Sequence, residues 1–454
     1  MSNSAPPQLV RQIGLFDSTM VVMGGIVGAG IFINPYVVAQ RVHSPVLILG
    51  VWVLGGIVAL LGAFIYAELA DRMPAVGGQY AYLREAIHPA AGFLYGWVLL
   101  LVVQTGGMAA VTVTFARYFL ELTGWNISER IVVVGTLAFL TAVNCLGVKP
   151  GTRLQSVLMI LKIAAIACLV VAGLFFAKNP QPLTHPILDR PFSLDLVTAI
   201  GAAMVPVLFS YGGWQTTNFI AAEIRDPRRN LVRALIFGVC GVILLYLLVS
   251  LVCVRVLGAD GLAQTTVPAS AVMRLVAGPA GARLIALGIA ISTIGFLSQS
   301  ILTAPRVYFA MAADGLFFQA VARVSARTHV PIVAILMQSV WALVIAFTGR
   351  YEQILNFMIP IDFLFFGLSA TCLFVFRHRD RAHPIADPGF RAPWHPVTTI
   401  AFILACWLVV ANTLIKFPRN SLVGVFILLM GLPVYAFWAR RKSHARNTQE
   451  IASS

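Results

Sequence analysis

MGGIVGAGIF, at residues 23–32, lies in the middle of the first long apolar segment of the chain. Four of its ten residues are glycine, and branched apolar residues flank them. A glycine inside a helix costs about 1 kcal/mol relative to alanine. One interpretation is a helix broken between Ile26 and Gly30 that holds a ligand with its exposed backbone, because unpaired backbone is tolerated within a membrane only where it lines a cavity. The alternative is a Gly24-xxx-Gly28 face that packs two unbroken helices.

The composition assigns the whole chain to the membrane proteins. Of its 454 residues, 59% are hydrophobic and 11% are charged, and the mean hydropathy is +0.87. A soluble protein of this size carries about a quarter charged residues. Apolar runs of about 20 residues, enough to cross a bilayer core of about 30 Å, recur along the chain, and no strand-like alternation competes with them. The sequence therefore predicts an all-α polytopic membrane protein.

The net charge and the cysteines fit the same class. A net charge of +15 would suggest nucleic acid in a soluble protein, but in a membrane protein it reflects Lys and Arg on cytoplasmic loops. We therefore expect no nucleic-acid partner. The six cysteines all fall in apolar runs without paired spacing, which favours buried thiols over disulfides or metal ligands. The polar first 15 residues predict no cleaved signal peptide.

Twelve membrane spans are predicted. They cover residues 18–39, 45–69, 90–120, 131–146, 154–177, 194–222, 231–256, 282–311, 331–347, 354–376, 397–416 and 422–438. An even number of spans puts both termini on one side. With the N-terminus inside, 20 of the 32 Lys and Arg residues lie on inside loops and 11 on outside loops, and Lys162 alone falls within a span. This asymmetry predicts cytoplasmic termini, and we expect disorder in the polar tail after residue 440.

The sixth span carries a second interruption, FSYGGW at residues 209–214, which follows Pro206. The first and sixth spans are thus both interrupted near their centres, five spans apart. This pattern is typical of two five-helix repeats of opposite membrane orientation, whose broken helices meet at the midplane. Ordinary packing glycine is the alternative here as well, since glycine is common in membrane helices.

Two such breaks would create a site for a zwitterion. A half-helix that begins after a break presents free N–H groups and a positive dipole end, so Gly28, Ala29 and Gly30 are candidates to bind a carboxylate. The half-helices that end before each break present free carbonyls at Ile26 and Phe209, which suit an ammonium group. The chemistry expected of the ligand is that of an α-amino acid.

Several motifs together resemble the amino acid–polyamine–organocation superfamily, and within it the prokaryotic members of the L-type amino acid transporter branch. The matching stretches are GIVGAGIF at 25–32, the loop at 74–82, FSYGGW at 209–214, E-x-x-DP-x-RN at 223–230 and R-x-x-FAMA-x-DG at 306–315. The resemblance covers residues 12–440. It implies alternating-access transport by a fold with a five-plus-five inverted repeat, discontinuous first and sixth helices, and two peripheral helices.

The resemblance also implies a division of the chain and a set of substrate contacts. Residues 1–15 and 441–454 are expected to be cytoplasmic tails. Residues 16–440 form one transporter domain, with repeats at 16–178 and 194–376 and the last two helices at 397–440. Phe209 resembles an aromatic gate over the bound side chain, and Gln215 stands where relatives often have a polar residue beside the pocket. The candidate substrate-binding residues are Ile26, Val27, Gly28, Ala29, Gly30, Phe209, Ser210, Gly212 and Gln215.

Lys162 is the most specific single-residue hypothesis. A charge at the bilayer centre costs about 2.5 kcal/mol or more and must face a cavity or a partner. Relatives that do not depend on sodium resemble this chain in carrying a lysine on the fifth helix, where the ammonium replaces a sodium ion between the first and eighth helices. Ser292, Thr293 and carbonyls near Gly24 are the candidate partners. The resemblance thus implies sodium-independent transport; alternatives are a lysine that snorkels to an interface or one that couples transport to protons.

Asp362, in the tenth span, is a second candidate for proton coupling, and a structural carboxylate is its alternative. It is the one acidic residue at membrane depth near enough to be considered for a substrate tail. Neutral amino acids are therefore favoured as substrates, with a cationic amino acid or polyamine exchanger as the alternative.

Other classes of protein find little support in the sequence. It has no His-Glu-x-x-His, Walker-type or Cys-x-x-Cys motif, so no enzyme and no cofactor are expected. It has no charge ring or filter repeat of a channel. The loop between the third and fourth spans lacks the cysteine by which animal members attach a heavy subunit, so no such partner is implied. The expected location is the inner (plasma) membrane.

Overall fold

The computed structural model describes residues 9–183, 187–348, 351–382, 389–416 and 418–453. Throughout these ranges the regular structure is helical, apart from one isolated parallel bridge between Ile13 and Ile224. Nine helical runs within them are long and apolar enough to cross a bilayer, and a bent pair at the start of the chain makes a tenth. The prediction of an all-α polytopic membrane protein is confirmed.

The first half of the chain contains eight helices, and a short π-helix, Leu99–Val103, joins α5 to α6 without a break. The helices are α1 (Leu15–Ile26), α2 (Gly30–Ala39), α3 (Pro45–Arg72), α4 (Gln79–Ala86), α5 (Pro89–Val98), α6 (Gln104–Thr123), α7 (Glu129–Cys145) and α8 (Val148–Phe175).

The second half adds eight more helices and two short 3-10 helices, Trp214–Glu223 and Gln319–Ala322. The helices are α9 (Leu194–Tyr211), α10 (Pro227–Gln264), α11 (Pro268–Thr303), α12 (Pro305–Ala313), α13 (Ile332–Phe347), α14 (Tyr351–Ala382), α15 (Val397–Lys416) and α16 (Pro418–Ser453).

Each of the twelve predicted spans coincides with helical structure. The fourth and ninth correspond to α7, with 17 residues, and α13, with 16 residues, which are the shortest of the set. At about 1.5 Å per residue these two helices are about 24–26 Å long, slightly less than the hydrocarbon core. A test that averages hydropathy over a window of fixed length therefore recognises these two helices as membrane spans less readily than the others.

The expectation of disorder after residue 440 is wrong. Helix α16 continues to Ser453 without interruption. Residues 441–453 contain no glycine or proline and include several good helix formers, such as Arg, Lys, Ala, Gln and Glu. A polar segment of this kind extends a helix that a membrane span has already nucleated, because propagation costs far less than nucleation.

Packing places the two interrupted helices at the centre of the molecule. Helix α10 packs along α3, α1 and α2, while α11 packs along α8, α6 and α1. Helix α9 lies between α2 and α3. The two breaks in α1–α2 and after α9 are therefore surrounded mainly by α3, α8, α10 and α11.

Candidate functional site

The first break separates α1 from α2. Helix α1 ends at Ile26, Val27 is extended with φ −74° and ψ 94°, and α2 begins at Gly30. The axes of the two half-helices differ by 42°. Residues 20–27 are buried, whereas residues 28–30 are partly accessible. The accessible residues thus lead directly into the first turn of α2, where a helix begins with N–H groups that have no carbonyl of an earlier turn to bind.

The second break follows α9. Gly212 is extended, and Gly213 has a φ of 113°, a conformation that side chains rarely tolerate. The Gly212 N–H donates to the Phe209 carbonyl at 3.1 Å, and the Gln215 side-chain oxygen accepts the Gly213 N–H at 3.0 Å. Gln215 is buried and caps the break, and its side-chain carbonyl already accepts one hydrogen bond from the backbone.

The two breaks meet directly through glycine. A Cβ on Gly25 would lie 2.8 Å from the Gly213 carbonyl oxygen, and a Cβ on Gly213 would lie 2.6 Å from the Gly25 carbonyl carbon. Neither position accepts a side chain while the other backbone stays where it is. The two glycine clusters therefore bring the interrupted half-helices together, besides freeing backbone groups at each break.

Tyr246 of α10 connects the same two breaks. Its hydroxyl is 3.0 Å from the Ile26 carbonyl and 3.1 Å from the Ser210 carbonyl, and its side chain is fully buried. Of the two carbonyls predicted to bind an ammonium, that of Ile26 accepts from Tyr246 and that of Phe209 accepts from the Gly212 N–H. A carbonyl oxygen has two acceptor positions, so each retains capacity for a ligand.

The remaining predicted substrate residues differ in accessibility. Phe209 is 39% exposed. Ser210 is buried, donates to the Pro206 carbonyl at 2.8 Å and accepts from the Asn34 amide at 2.6 Å. The Ser210 hydroxyl therefore joins α9 to α2, and its proton is already donated in this conformation.

Lys162 lies at the first break, completely buried. Its ammonium donates to the Val27 carbonyl at 2.6 Å and to the Gly24 carbonyl at 3.4 Å. Ser292 of α11 approaches the same carbonyl of Val27 at 3.4 Å and that of Gly28 at 3.3 Å. The ammonium and hydroxyl together link α8 and α11 to the end of α1. Such contacts satisfy a buried cation with oxygen ligands, as a bound metal cation would be satisfied.

Thr293, a predicted partner of Lys162, and Asp362, the second candidate for proton coupling, lie outside this cluster. The Thr293 hydroxyl donates back to the Ala290 carbonyl of its own helix at 2.7 Å, so Ser292, and not Thr293, bonds to the carbonyls at the break. Asp362 of α14 lies close enough to Tyr66 and Tyr95 to interact electrostatically with their hydroxyls. Those tyrosines bond to the Gln79 amide at 2.8 Å each, so Asp362 borders a polar cluster of α3, α4 and α5.

Sequence reasoning missed several residues at the site. Among them are Asn34, which bonds to Ser210, Tyr246, Phe296, whose ring is 3.9 Å from where a Cβ on Gly28 would lie, and Gly295, which faces Lys162. A buried tyrosine in the middle of an apolar span was the available signal for Tyr246, because its hydroxyl must find a partner there. Nothing in the local sequence distinguishes Phe296 from other lipid-compatible residues.

Comparison with known proteins identifies the family to which the chain belongs. The model of the amino acid permease family matches residues 13–437. The serine/threonine exchanger SteT of Bacillus subtilis is 29% identical over 440 residues, covering 96% of this chain and 98% of that protein. The b(0,+)-type amino acid transporter 1 of Mus musculus is 28% identical, covering 96% and 91%.

The large neutral amino acids transporter small subunit 2 of Homo sapiens is 27% identical, covering 95% of this chain and 82% of that protein. These relatives are amino acid transporters, not enzymes, and the match extends across both helix breaks and the helices that surround them. The chain therefore belongs to the amino acid permease family, and it is a membrane transporter of amino acids.

Proposed function

We propose that the chain carries neutral L-amino acids by alternating access, without sodium, either in exchange or coupled to protons. The substrate carboxylate would bind the N–H groups of residues 28–30, at the positive end of α2. The substrate ammonium would use the second acceptor position of the Ile26 and Phe209 carbonyls, with Gly212 beside it. Phe209, exposed above the second break, would close over the side chain.

The Lys162 ammonium is the observation that supports sodium independence. It occupies the oxygen-rich space between the end of α1 and α11, with the Val27 carbonyl 2.6 Å away and Ser292 on the same carbonyl. A sodium ion would need these same oxygens and would have to displace a buried cation of equal charge. A permanently attached ammonium therefore replaces an ion that would otherwise have to bind in each cycle.

A neutral substrate is favoured by the charges around the breaks. Residues 24–34 and 206–216 contain no Asp or Glu, and the charged side chain in contact with the first break is a lysine. A cationic tail would require a carboxylate close by, and Asp362 borders the separate cluster of Tyr66 and Tyr95. The names of SteT and of the human relative, which mention serine, threonine and large neutral amino acids, agree with this choice. The alternative is a cationic amino acid or polyamine exchanger.

Two measurements on one preparation test the proposal. Purified protein is reconstituted in liposomes loaded with an amino acid, and uptake of one labelled neutral amino acid is measured with sodium or choline outside. We expect the two rates to agree within about twofold, with competition by neutral amino acids from a panel of the twenty common ones. Strong stimulation by sodium contradicts the role of Lys162, and competition by arginine, lysine or putrescine alone favours the cationic alternative.

We further infer that the protein acts alone in the inner membrane, with both termini in the cytoplasm. The bias of Lys and Arg toward one set of loops supports this orientation. Reporter fusions at the C-terminus that are active only in the cytoplasm, or only outside it, test the orientation. Uptake by the purified single chain tests the absence of a heavy subunit: a requirement for a second protein would contradict it.

A further inference from the structure

A lateral slot opens on the outside of the helix bundle between α8 and α11. It has a volume of about 230 Å³ and is lined by aliphatic side chains, sulfur atoms and one glycine, including Leu161, Ala164, Leu284 and Leu287. These four side chains are exposed on the surface of the bundle. At the floor of the slot the helices almost touch, since a Cβ on Gly288 would lie 2.7 Å from that of Ala165. The slot is thus a dry groove that faces the bilayer.

A basic groove adjoins the slot at the end of the bundle opposite the N-terminal segment. It encloses about 1030 Å³ between the end of α6 and the start of α11, and its charged residues are Arg117, Arg274, Arg283 and Glu121. Arg117 also contacts Glu129 at 3.5 Å. Arg274 and Arg283 have no salt bridge within the described ranges, and both are exposed. The groove therefore has an excess of positive charge.

The slot and the groove share one turn of α11. Arg283 lines the groove, and Leu284, the next residue, lines the slot. Arg283 precedes Ser292 by nine residues, which places it about 14 Å along the helix from the level of the first break. If the breaks lie at mid-bilayer, the Arg283 guanidinium lies at the boundary between hydrocarbon and headgroups, since half the core is about 15 Å. The slot, from Leu284 to Ile291, then lies within the hydrocarbon.

We propose that this face binds one anionic phospholipid, with its phosphate on Arg283 and Arg274 and one acyl chain in the slot between α8 and α11. A soluble anion would bind in the groove and leave the slot empty. A zwitterionic lipid would place the positive charge of its headgroup beside the arginines of the groove, where it would be repelled. Guanidinium groups bind phosphate oxygens in bidentate fashion, and each basic residue near an anionic headgroup strengthens binding about fivefold. This assignment does not depend on which amino acid is carried.

The proposed lipid site lies between two helices that contact the first break. Helices α8 and α11 carry Lys162 and Ser292, the two side chains that bond to the Val27 carbonyl. An acyl chain wedged between these helices one turn from that contact would fix their separation. A lipid at this site would therefore influence how readily the first break changes its conformation.

Native mass spectrometry of the full chain tests the proposal. Protein purified in detergent is mixed with equal amounts of dioleoylphosphatidylglycerol and dioleoylphosphatidylcholine, and the lipids retained are counted. We expect the wild type to retain one phosphatidylglycerol in preference to phosphatidylcholine. Arg283→Gln should lower that preference about fivefold, and Ala164→Trp, which fills the exposed slot, should remove it. Matched controls are Arg130→Gln, an exposed arginine outside the groove, and Leu404→Trp, a bilayer-facing position on α15.

The outcomes separate the alternatives. The proposal is overturned if Arg283→Gln and Ala164→Trp retain as much phosphatidylglycerol as the wild type. It is also overturned if the two control variants lose as much phosphatidylglycerol as these two variants do. Thermal stabilisation of the wild type by glycerol 3-phosphate alone, equal to that by phosphatidylglycerol, would identify a soluble-anion site instead and overturn the lipid assignment. Because lipid retention is measured without substrate, a failure here is independent of a failure of the proposed transport function.

Discussion

Because Gly295 has no side chain, the Lys162 ammonium can lie close against α11. A Cβ at this position would lie 2.5 Å from Lys162 Cε and 2.8 Å from Nζ. Contacts this short force one partner to move, and overpacking of this kind costs about 1–3 kcal/mol. The lysine side chain is the more flexible partner, so its hydrogen bonds to the Val27 and Gly24 carbonyls would lengthen or break.

Gly295→Ala is therefore expected to lower amino acid uptake about tenfold or more, close to the effect of Lys162→Ala. The measurement is initial uptake in proteoliposomes, normalised to the amount of folded protein. Gly201→Ala is the matched control, because a Cβ there has nothing within 4 Å. Wild-type uptake by Gly295→Ala together with a large loss in Lys162→Ala would show that the ammonium can act from another position.

Gly28 allows the substrate-binding hypothesis to be tested without disturbing the fold. A Cβ at Gly28 would meet only the Phe296 ring, at 3.9 Å, an ordinary contact. Gly28→Ala should leave the melting temperature nearly unchanged, yet its methyl group would obstruct a carboxylate that approaches the N–H groups of α2. Because hydrogen bonds to charged groups contribute about 1.5–3 kcal/mol, we expect the KM for uptake to rise about tenfold or more.

Gly30→Val provides the comparison for that measurement. A Cβ on Gly30 would lie 2.9 Å from the Ser210 hydroxyl, so this variant should lose both uptake and thermal stability. Gly28→Ala with an unaltered KM would remove Gly28 from the site, whatever Gly30→Val does.

At the level of single residues, the sequence predicted which positions are unusual but not their partners. The two glycine clusters and the buried Lys162 stand out because each carries a known cost in a membrane helix. The contacts of Ser210 with Asn34, of Gln215 with the Gly213 N–H and of Tyr246 with both breaks could not be predicted. They join residues that lie far apart in the chain or form only after a helix has broken, and local patterns contain no information about either.

At the scale of helices, hydropathy predicted that each segment is a helix and where it lies in the chain. It did not predict where the helical backbone is irregular. The third predicted span contains the π-helix Leu99–Val103, whose sequence LLLVV has no glycine or proline to mark it. The breaks after Ile26 and Tyr211 were marked, because glycine removes both helical preference and steric obstruction. Irregular backbone that arises from tertiary packing leaves no such mark in the sequence.

Tyr246 connects the two interrupted helices. Its hydroxyl lies within 3.1 Å of carbonyls at the ends of both α1 and α9, and its ring packs edge-on against Trp52 at 5.7 Å. Tyr246→Phe keeps the ring and removes one donor, leaving two buried carbonyls with fewer partners. That change should cost about 1–3 kcal/mol of stability.

The variant is expected to melt several degrees lower and to carry substrate more slowly, because the relative position of the two breaks would be less well fixed. Tyr435→Phe is a suitable control, since Tyr435 lies on the peripheral helix α16 and packs against Phe93. Unchanged melting and uptake in Tyr246→Phe would mean that the Gly25–Gly213 contact alone holds the breaks together.

Taken as a whole, the molecule is closed at the end that carries the N-terminal segment. The Glu223 carbonyl accepts the N–H groups of Gln12 at 2.8 Å and Ile13 at 3.0 Å, and the Ile13 carbonyl accepts the Arg225 N–H at 2.9 Å. At the level of the breaks, residues 28–30 are partly accessible and Phe209 is exposed. Access to the breaks from the N-terminal end therefore requires that these backbone bonds open.

The buried ion pair of Arg306 and Glu223 holds this closed end together. Its nitrogen–oxygen distances are 2.6 and 3.1 Å, both side chains are almost completely inaccessible, and Arg306 also donates to the Leu302 carbonyl at 2.6 Å. Removal of one member of such a pair leaves a buried charge without its counterion and costs about 3–5 kcal/mol, whereas replacement of both by apolar residues is often nearly neutral.

A double-mutant cycle follows from that asymmetry. Arg306→Met and Glu223→Leu are each expected to lower the melting temperature strongly, and the double variant should be more stable than either single one. Arg379→Ala, which breaks the surface pair with the 51%-exposed Glu85, should change stability by less than about 1 kcal/mol. The double variant fills the space of the ion pair with apolar side chains, so it should melt near the wild type. It should nevertheless transport slowly, because it lacks the two charges that water would solvate when this end of the molecule opens. Strictly additive losses in melting temperature would indicate that the two side chains do not act as a pair, and wild-type uptake by the double variant would show that the charges are not needed for opening.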